Sequence, residues 1–122
     1  MPVKRFTFPK SRRLTQAAEF ERVKKNGQVY RGQLVVLSSA PVNDGTRFRA
    51  GFVTSRAVGR AVVRNRVRRR LREIVRKHQG ELTNGIWIVT IARPPAARAS
   101  YVQLEAEWLR LAKRASILAT SC

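Results

Sequence analysis

Seven carboxylates, one histidine and one cysteine are all that this chain of 122 residues offers to acid–base, nucleophilic or metal chemistry. Their spacing argues against each. Metal-assisted hydrolysis of a phosphodiester needs carboxylates clustered to hold divalent ions. Glu19 and Glu21, like Glu105 and Glu107, stand two apart on segments of helical periodicity and so point to different faces. Asp44, Glu73 and Glu81 add no further pair. His78 is alone at the end of a helical run, where its ordinary role is to face the helix carboxyl terminus. With a single His and a single Asp, a Ser, His and Asp set can be built only by special pleading. Cys122 is the last residue, which leaves neither a disulfide framework nor a thiolate cluster. No catalytic residue and no metal ligand is expected in the protein, nor any cofactor of its own.

What remains is arginine chemistry. Between Arg56 and Lys77 there are ten cationic residues, nine of them Arg, against the single acid Glu73. The planar guanidinium fork meets phosphate oxygens bidentately and stacks on bases, where lysine is only a point charge. A merely solvated helix, with Glu73 paired to Arg69 and Lys77, is the bland alternative; one Glu cannot neutralise nine arginines. The whole chain repeats the bias, with 26 Lys plus Arg against 7 Asp plus Glu and a formal charge of +19. Such a charge repels itself unless a polyanion is bound. No apolar run approaches the roughly 18 residues of a spanning helix, and MPVKRFTFPKSRR lacks the apolar segment of a secretory signal. A cytoplasmic protein with a nucleic-acid partner and no membrane is expected.

The elements that must position these arginines form one domain, 1–122. Residues 1–13, with five Lys or Arg and two prolines, read as a flexible basic arm, and residues 119–122 as a short tail. A first helix begins at Thr15, shows Ala17, Phe20 and Val23 at helical spacing, and stops at Asn26-Gly27 by means of a left-handed residue. QVYRGQLVVLSS is an extended run that the break at residues 28 to 33 can split into two strands. APVNDGT then marks a hairpin to RFRAGFVTS as its partner strand, in which Phe48, Ala50 and Phe52 alternate with Arg47, Arg49 and Gly51. The basic helix, the buried strand IWIVTIA and a last helix follow. The last begins at Ser100 with Gln103 as a capping box and carries a stripe of Leu104, Trp108, Leu111, Ala115 and Leu118. The order α-β-β-β-α-β-α is that of an α+β fold, a small mixed sheet packed with three helices. Trp87 and Trp108 are expected in the core, and Tyr30 and Tyr101 in surface packing.

On a wheel of about 100° per residue, Val63, Val67, Leu71, Ile74 and Val75 share one sector of roughly 120°. Asn65, Arg66, Arg69, Arg72, Glu73 and Arg76 lie opposite, with Arg64 and Arg68 on one flank and Arg70 and Lys77 on the other. A DNA-reading basic helix of the zipper type would continue into heptads. This one ends at Gly80 and carries its own core face, which suits phosphate and shape readout of structured RNA.

The run AVGRAVVRNRVRRRLRE closely resembles the signature of the bacterial ribonuclease P protein subunit. Glu19-Phe20 in the first helix, GFVTS before the signature and WIVTIARPPA after it match similar segments, so the resemblance spans roughly residues 11 to 115. It implies a protein that assists a catalytic RNA in removing the 5′ leader of precursor tRNA, with Mg²⁺ required by the RNA partner and no obligate protein partner. It implies RNA-facing Arg64, Asn65, Arg66, Arg68, Arg69 and Arg72. It implies a cleft for the single-stranded leader that includes Phe20, Val35, Leu37 and Arg56, and a left-handed crossover between two parallel strands, against the general rule. Lys24 stands where many members have a second aromatic, and it offers the leader a phosphate contact instead; Ala57 interrupts the basic pair after the third strand; Leu37 or Ser38 replaces an aromatic. Weaker base stacking in the cleft is therefore expected. A small ribosomal protein would share the charge and size, and a cationic membrane binder the charge, but neither accounts for the Arg-Asn-Arg helix with its flanking segments.

Overall fold

In the computed structural model, residues 14, 17–41, 48–83 and 85–118 are described. Thr15, the arm 1–13, residues 42–46 of the expected turn APVNDGT, Arg47 of its partner strand and the tail with Cys122 lie outside them. The order is α1 (Ala17–Asn26), β1 (Gln28–Arg31), β2 (Val35–Pro41), β3 (Arg49–Thr54), α2 (Ala61–Lys77), β4 (Ile86–Ala92) and α3 (Tyr101–Arg114), with 3-10 turns at Arg56–Val58, Gln79–Glu81 and Pro94–Arg98. This is the expected α+β order, including the split of the first extended run.

The sheet runs β1-β2-β4-β3. β2 pairs antiparallel with β1 and with β4, while β3 pairs parallel with β4. The expected pairing of β2 with β3 is therefore wrong, because β4 lies between them. IWIVTIA has no polar alternation, and a central position gives it neighbours on both edges and a helical layer on both faces. A turn signal marks a reversal of the chain without naming the strand it returns to.

The two faces of the sheet hold separate cores. Val35, Leu37, Phe48, Ala50 and Ile88 pack with Val67, Leu71, Ile74 and Val75 of α2 and Leu104, Trp108 and Leu111 of α3. The indole Nε1 of Trp108 donates to Thr90 Oγ1 at 3.1 Å, which satisfies the one polar group of that fully buried ring. Residues of opposite parity, Ala40, Trp87 and Val89, meet Leu14 and Val23 under α1. Phe20 lies over Gly51, where an added Cβ would stand 2.6 Å from the ring. Ala17, placed by periodicity on the inner face of α1, is exposed.

Helix ends follow local chemistry. Ser100 and Gln103 form the expected reciprocal capping box, with Gln103 N donating to Ser100 Oγ at 3.1 Å and Ser100 N to Gln103 Oε1 at 2.9 Å. Gly27 ends α1 by close approach: its φ is not positive, and a side chain there would meet the carbonyl oxygens of Val23 and Ser39, the latter at 2.5 Å. Gly59, with φ of 150°, makes the turn into α2 that other residues rarely adopt. α3 stops at Arg114, short of the stripe read to Leu118. Ser116 takes φ of 58°, and Ile117 N donates back to Ala112 O at 3.2 Å, closing a Schellman turn that buries Ile117.

Candidate nucleic-acid interface

α2 is fixed before it meets any partner. Val67, Leu71, Ile74 and Val75 are wholly buried, which commits its apolar sector to the core. On one flank Arg68 donates through Nη2 to Thr54 Oγ1 at 2.6 Å and through Nη1 to Asn65 Oδ1 at 3.1 Å. Asn65 thus orients an arginine. On the other flank Arg66 donates to Ala97 O at 3.0 Å and Arg70 to Ala99 O at 2.8 Å, tying the helix to the loop after β4. Lys77 reaches Glu105 at 3.1 Å, and Arg76, in place of Arg69 or Lys77, pairs with Glu73. Arg69 is exposed, Arg64 and Arg72 are half-buried, and Arg64 Nε is buried without a hydrogen-bond partner among the described residues. The six residues read from the sequence lie along one helix but on different sides of it: Arg68 turns to β3, Arg66 turns to the loop after β4, and Arg69 is exposed.

The opposite face of the sheet opens into a cavity of about 670 Å³. Phe20 and Lys24 of α1 form one wall, and Val36, Ser38 and Val89 form part of the floor. Arg31 and Arg93 bring charge to the rim, together with Glu21. Phe20 and Lys24, two of the residues that the resemblance assigns to the leader cleft, both line this cavity. Val35 and Leu37 do not: both are fully buried on the α2 and α3 side. Successive side chains on a strand point to opposite faces, so a count displaced by one residue moves the whole set; Val36 and Ser38 occupy the cleft. Arg56 stands exposed on the 3-10 turn after β3, outside the cavity lining. Among the described residues Phe20 is the one aromatic in that lining.

Two polar arrangements escaped sequence reasoning. Glu107 is buried and accepts from the backbone N–H groups of Leu34 at 2.6 Å, Val35 at 2.8 Å and Gln33 at 3.2 Å, so α3 caps the β1–β2 turn. Arg93 donates to Gly32 O at 2.7 Å in the same turn, which connects the brace to the cleft rim. The only hint was an acid beside Trp108 on a helix. His78, expected to face a helix end alone, has Nδ1 2.7 Å from Glu81 Oε2 and Nε2 2.9 Å from Glu105 Oε2. Partial burial disfavours its charge, but the two carboxylates outweigh that and raise its pKa above the ordinary 6.5. Glu105 is lowered, first by the His78 hydrogen bond and against some desolvation. Elsewhere Arg22 and Arg49 stand 5.1 and 5.2 Å from the centroid of the buried Trp87 ring, with Arg49 also 2.6 Å from Glu19. No group of three or more His, Cys, Asp or Glu among the described residues could hold a metal ion, and no described helix is long and apolar enough to cross a membrane.

Fold and surface together define a small basic α+β domain that presents a braced arginine helix on one layer and an open, cation-rimmed cleft on the other. The family model described as Ribonuclease P matches residues 8–116. The ribonuclease P protein component of Chloroflexus aggregans is 39% identical over 113 residues, covering 91% of this chain and 82% of that one. The one from Dehalococcoides mccartyi is 41% identical over 108 residues, covering 88% of each. The structure of the Staphylococcus aureus RNase P protein superposes with a TM-score of 0.84 at 28% identity, over 89% of this chain and 99% of that one. The RNase P protein from Thermotoga maritima, in complex with 1-(4-fluorophenyl)-2-thiourea, gives 0.72 at 29% identity over 79% and 92%. The chain belongs to the ribonuclease P protein family.

Proposed function

We propose that this chain binds the catalytic RNA of ribonuclease P through the outer face of α2 and receives the single-stranded 5′ leader of precursor tRNA in the cleft beside α1. It thereby promotes endonucleolytic removal of the leader to give mature tRNA 5′ ends. Arg64, Arg66, Arg68, Arg69 and Arg72 meet phosphates, with Asn65 orienting Arg68; Phe20 offers one stacking surface and Lys24 a phosphate contact to the leader. Arg56 extends the basic surface at the end of β3. The chemistry and the Mg²⁺ it requires belong to the RNA, in the cytoplasm, with no obligate protein partner.

The observation that carries this reading is the placement of the two basic surfaces on opposite layers of one thin sheet. A single α2 face could serve any structured RNA. A second, narrower site backed by apolar residues, too far round the molecule to belong to the same contact, suits an extended strand from a second RNA. Reconstitution tests it: precursor tRNA is incubated with ribonuclease P RNA at low Mg²⁺, with and without the chain. The chain should restore cleavage and bind precursor more tightly than mature tRNA. Site-specific cleavage by RNA-free protein would overturn the division of labour, and recovery of ribosomal RNA without ribonuclease P RNA in a pull-down would favour a ribosomal role.

A further inference from the structure

We propose that the groove between the 3-10 turn Arg56–Val58, the first turns of α2 and the 3-10 turn Pro94–Arg98 is a pocket for one unpaired nucleotide of the RNA that α2 meets. The proposal rests on the reading of α2 as RNA-facing. The groove measures about 680 Å³, within the range of roughly 300 to 1,000 Å³ common for small-ligand sites. Its floor is the buried Val58 with Val63 and Ala97, and Pro94 and Pro95 are exposed on its wall. Arg66 and Arg98 stand at its rim.

The occupant follows from what this lining can satisfy. Exposed prolines beside two arginines, on a chain of formal charge +19, ask for a ligand that is anionic and also has a flat apolar face. A nucleotide has both; inorganic phosphate lacks the second. Arg66 donates to Ala97 O at 3.0 Å, which keeps its guanidinium group at the rim of the groove, and bases in single-stranded RNA stack on such planes. The neighbouring start of α2 favours the attached phosphate. Its N-cap is Arg60, which makes no side-chain capping bond, and its first turn holds no acid. The N–H groups and the positive end of the helix dipole therefore lie beside the groove without an anionic neighbour in that turn. This site lies on the α2 layer and shares no lining residue with the cleft beside α1.

Methyl NMR of the full chain, titrated with adenosine monophosphate and in parallel with inorganic phosphate, decides the point. The nucleotide should shift the methyls of Val58, Val63 and Ala97 together, and phosphate should leave those of Val58 and Ala97 in place. Ala57→Phe, which fills the groove from an exposed position, should abolish those shifts while the core methyls of Leu104 and Leu111 stay unchanged. With ribonuclease P RNA the same variant should bind about tenfold more weakly, at an unaltered salt slope because no cation is lost. The proposal falls if the nucleotide leaves the groove methyls unmoved, or if phosphate alone reproduces the shifts. Failure of the unmodified chain to bind ribonuclease P RNA would instead strike the functional reading, while the nucleotide titration still decides the groove.

Discussion

Val35 and Val36 carry the same side chain and adjoin on β2, yet Val35 is fully buried against α2 and α3 while Val36 lines the cleft. Truncating Val35 to Ala should lower stability by about 1 to 3 kcal/mol and leave the proposed preference for precursor over mature tRNA intact at temperatures where the protein is folded. Val36→Ala should change stability by about 0.5 kcal/mol or less and narrow that preference. Urea melts and paired binding titrations measure both, and equal loss of stability in the two variants would refute the assignment of faces. The sequence could not supply this register. VVLSSA is apolar or small at every position because one face of β2 packs on α2 and α3 while the other forms the largely apolar floor of the cleft, so the period-two signal is silent. Phe20 was easier, since on a helix its neighbours Val23 and Lys24 already separate an inner from an outer side.

At the scale of the element, α2 was legible because its apolar period repeats over four turns, and even its flanks came out as read: Arg68 reaches Thr54 on one side, Arg70 and Lys77 reach Ala99 and Glu105 on the other. Its arginines should consequently fail in different ways. Arg69→Ala removes an exposed cation and should leave melting unchanged or slightly higher while reducing the slope of log affinity against log salt by about 0.7 to 0.9. Arg66→Ala should show the same slope change and also loosen the loop at Ala97, seen as faster amide exchange there; an unaltered slope in both would mean that this face does not meet RNA. The C-terminal end of α2 is held by a different device. Because the folded pKa of His78 lies above 6.5, its contribution to stability is fully present below that value and lost as pH rises through the folded pKa. Glu105, lowered below 4.5, contributes above its ordinary value and loses that contribution as pH falls through the folded pKa. The staple is strongest between the two, at weakly acidic pH. Denaturant midpoints of His78→Gln should therefore converge on those of the unmodified chain on the alkaline side and fall below them near pH 5.5; a gap that does not depend on pH would show that His78 acts by packing alone. Glu81 stands three residues after His78 in the chain, whereas Glu105 meets it only through the docking of α3 on α2, which the sequence does not show. The same is true of the β3–β4 pairing and of Glu107 beneath the β1–β2 turn.

For the molecule as a whole, a formal charge of +19 on 122 residues sets two salt effects against each other. Free protein is strained by its own repulsion, which extends over a Debye length of about 30 Å at 0.01 M salt and about 8 Å at 0.15 M. The described acids are largely engaged in local pairs, Glu19 with Arg49, Glu73 with Arg76, and Glu105 with Lys77 and His78, at separations well inside either length. Added salt therefore relieves the long-range repulsion much more than it weakens these contacts, and the melting temperature of the free chain should rise between those two concentrations. RNA reverses the sign. A polyanion bound to the native state alone stabilises it by mass action, and its affinity falls steeply with salt through counterion release, so at fixed RNA concentration the melting temperature of the complex should start high and decline toward that of the free chain. Two calorimetric titrations with potassium chloride, one with and one without ribonuclease P RNA, should thus converge from opposite directions. A free chain that melts lower as salt is added would mean that its ion pairs outweigh its repulsion, and the account of why this fold needs a polyanionic partner would fail with it.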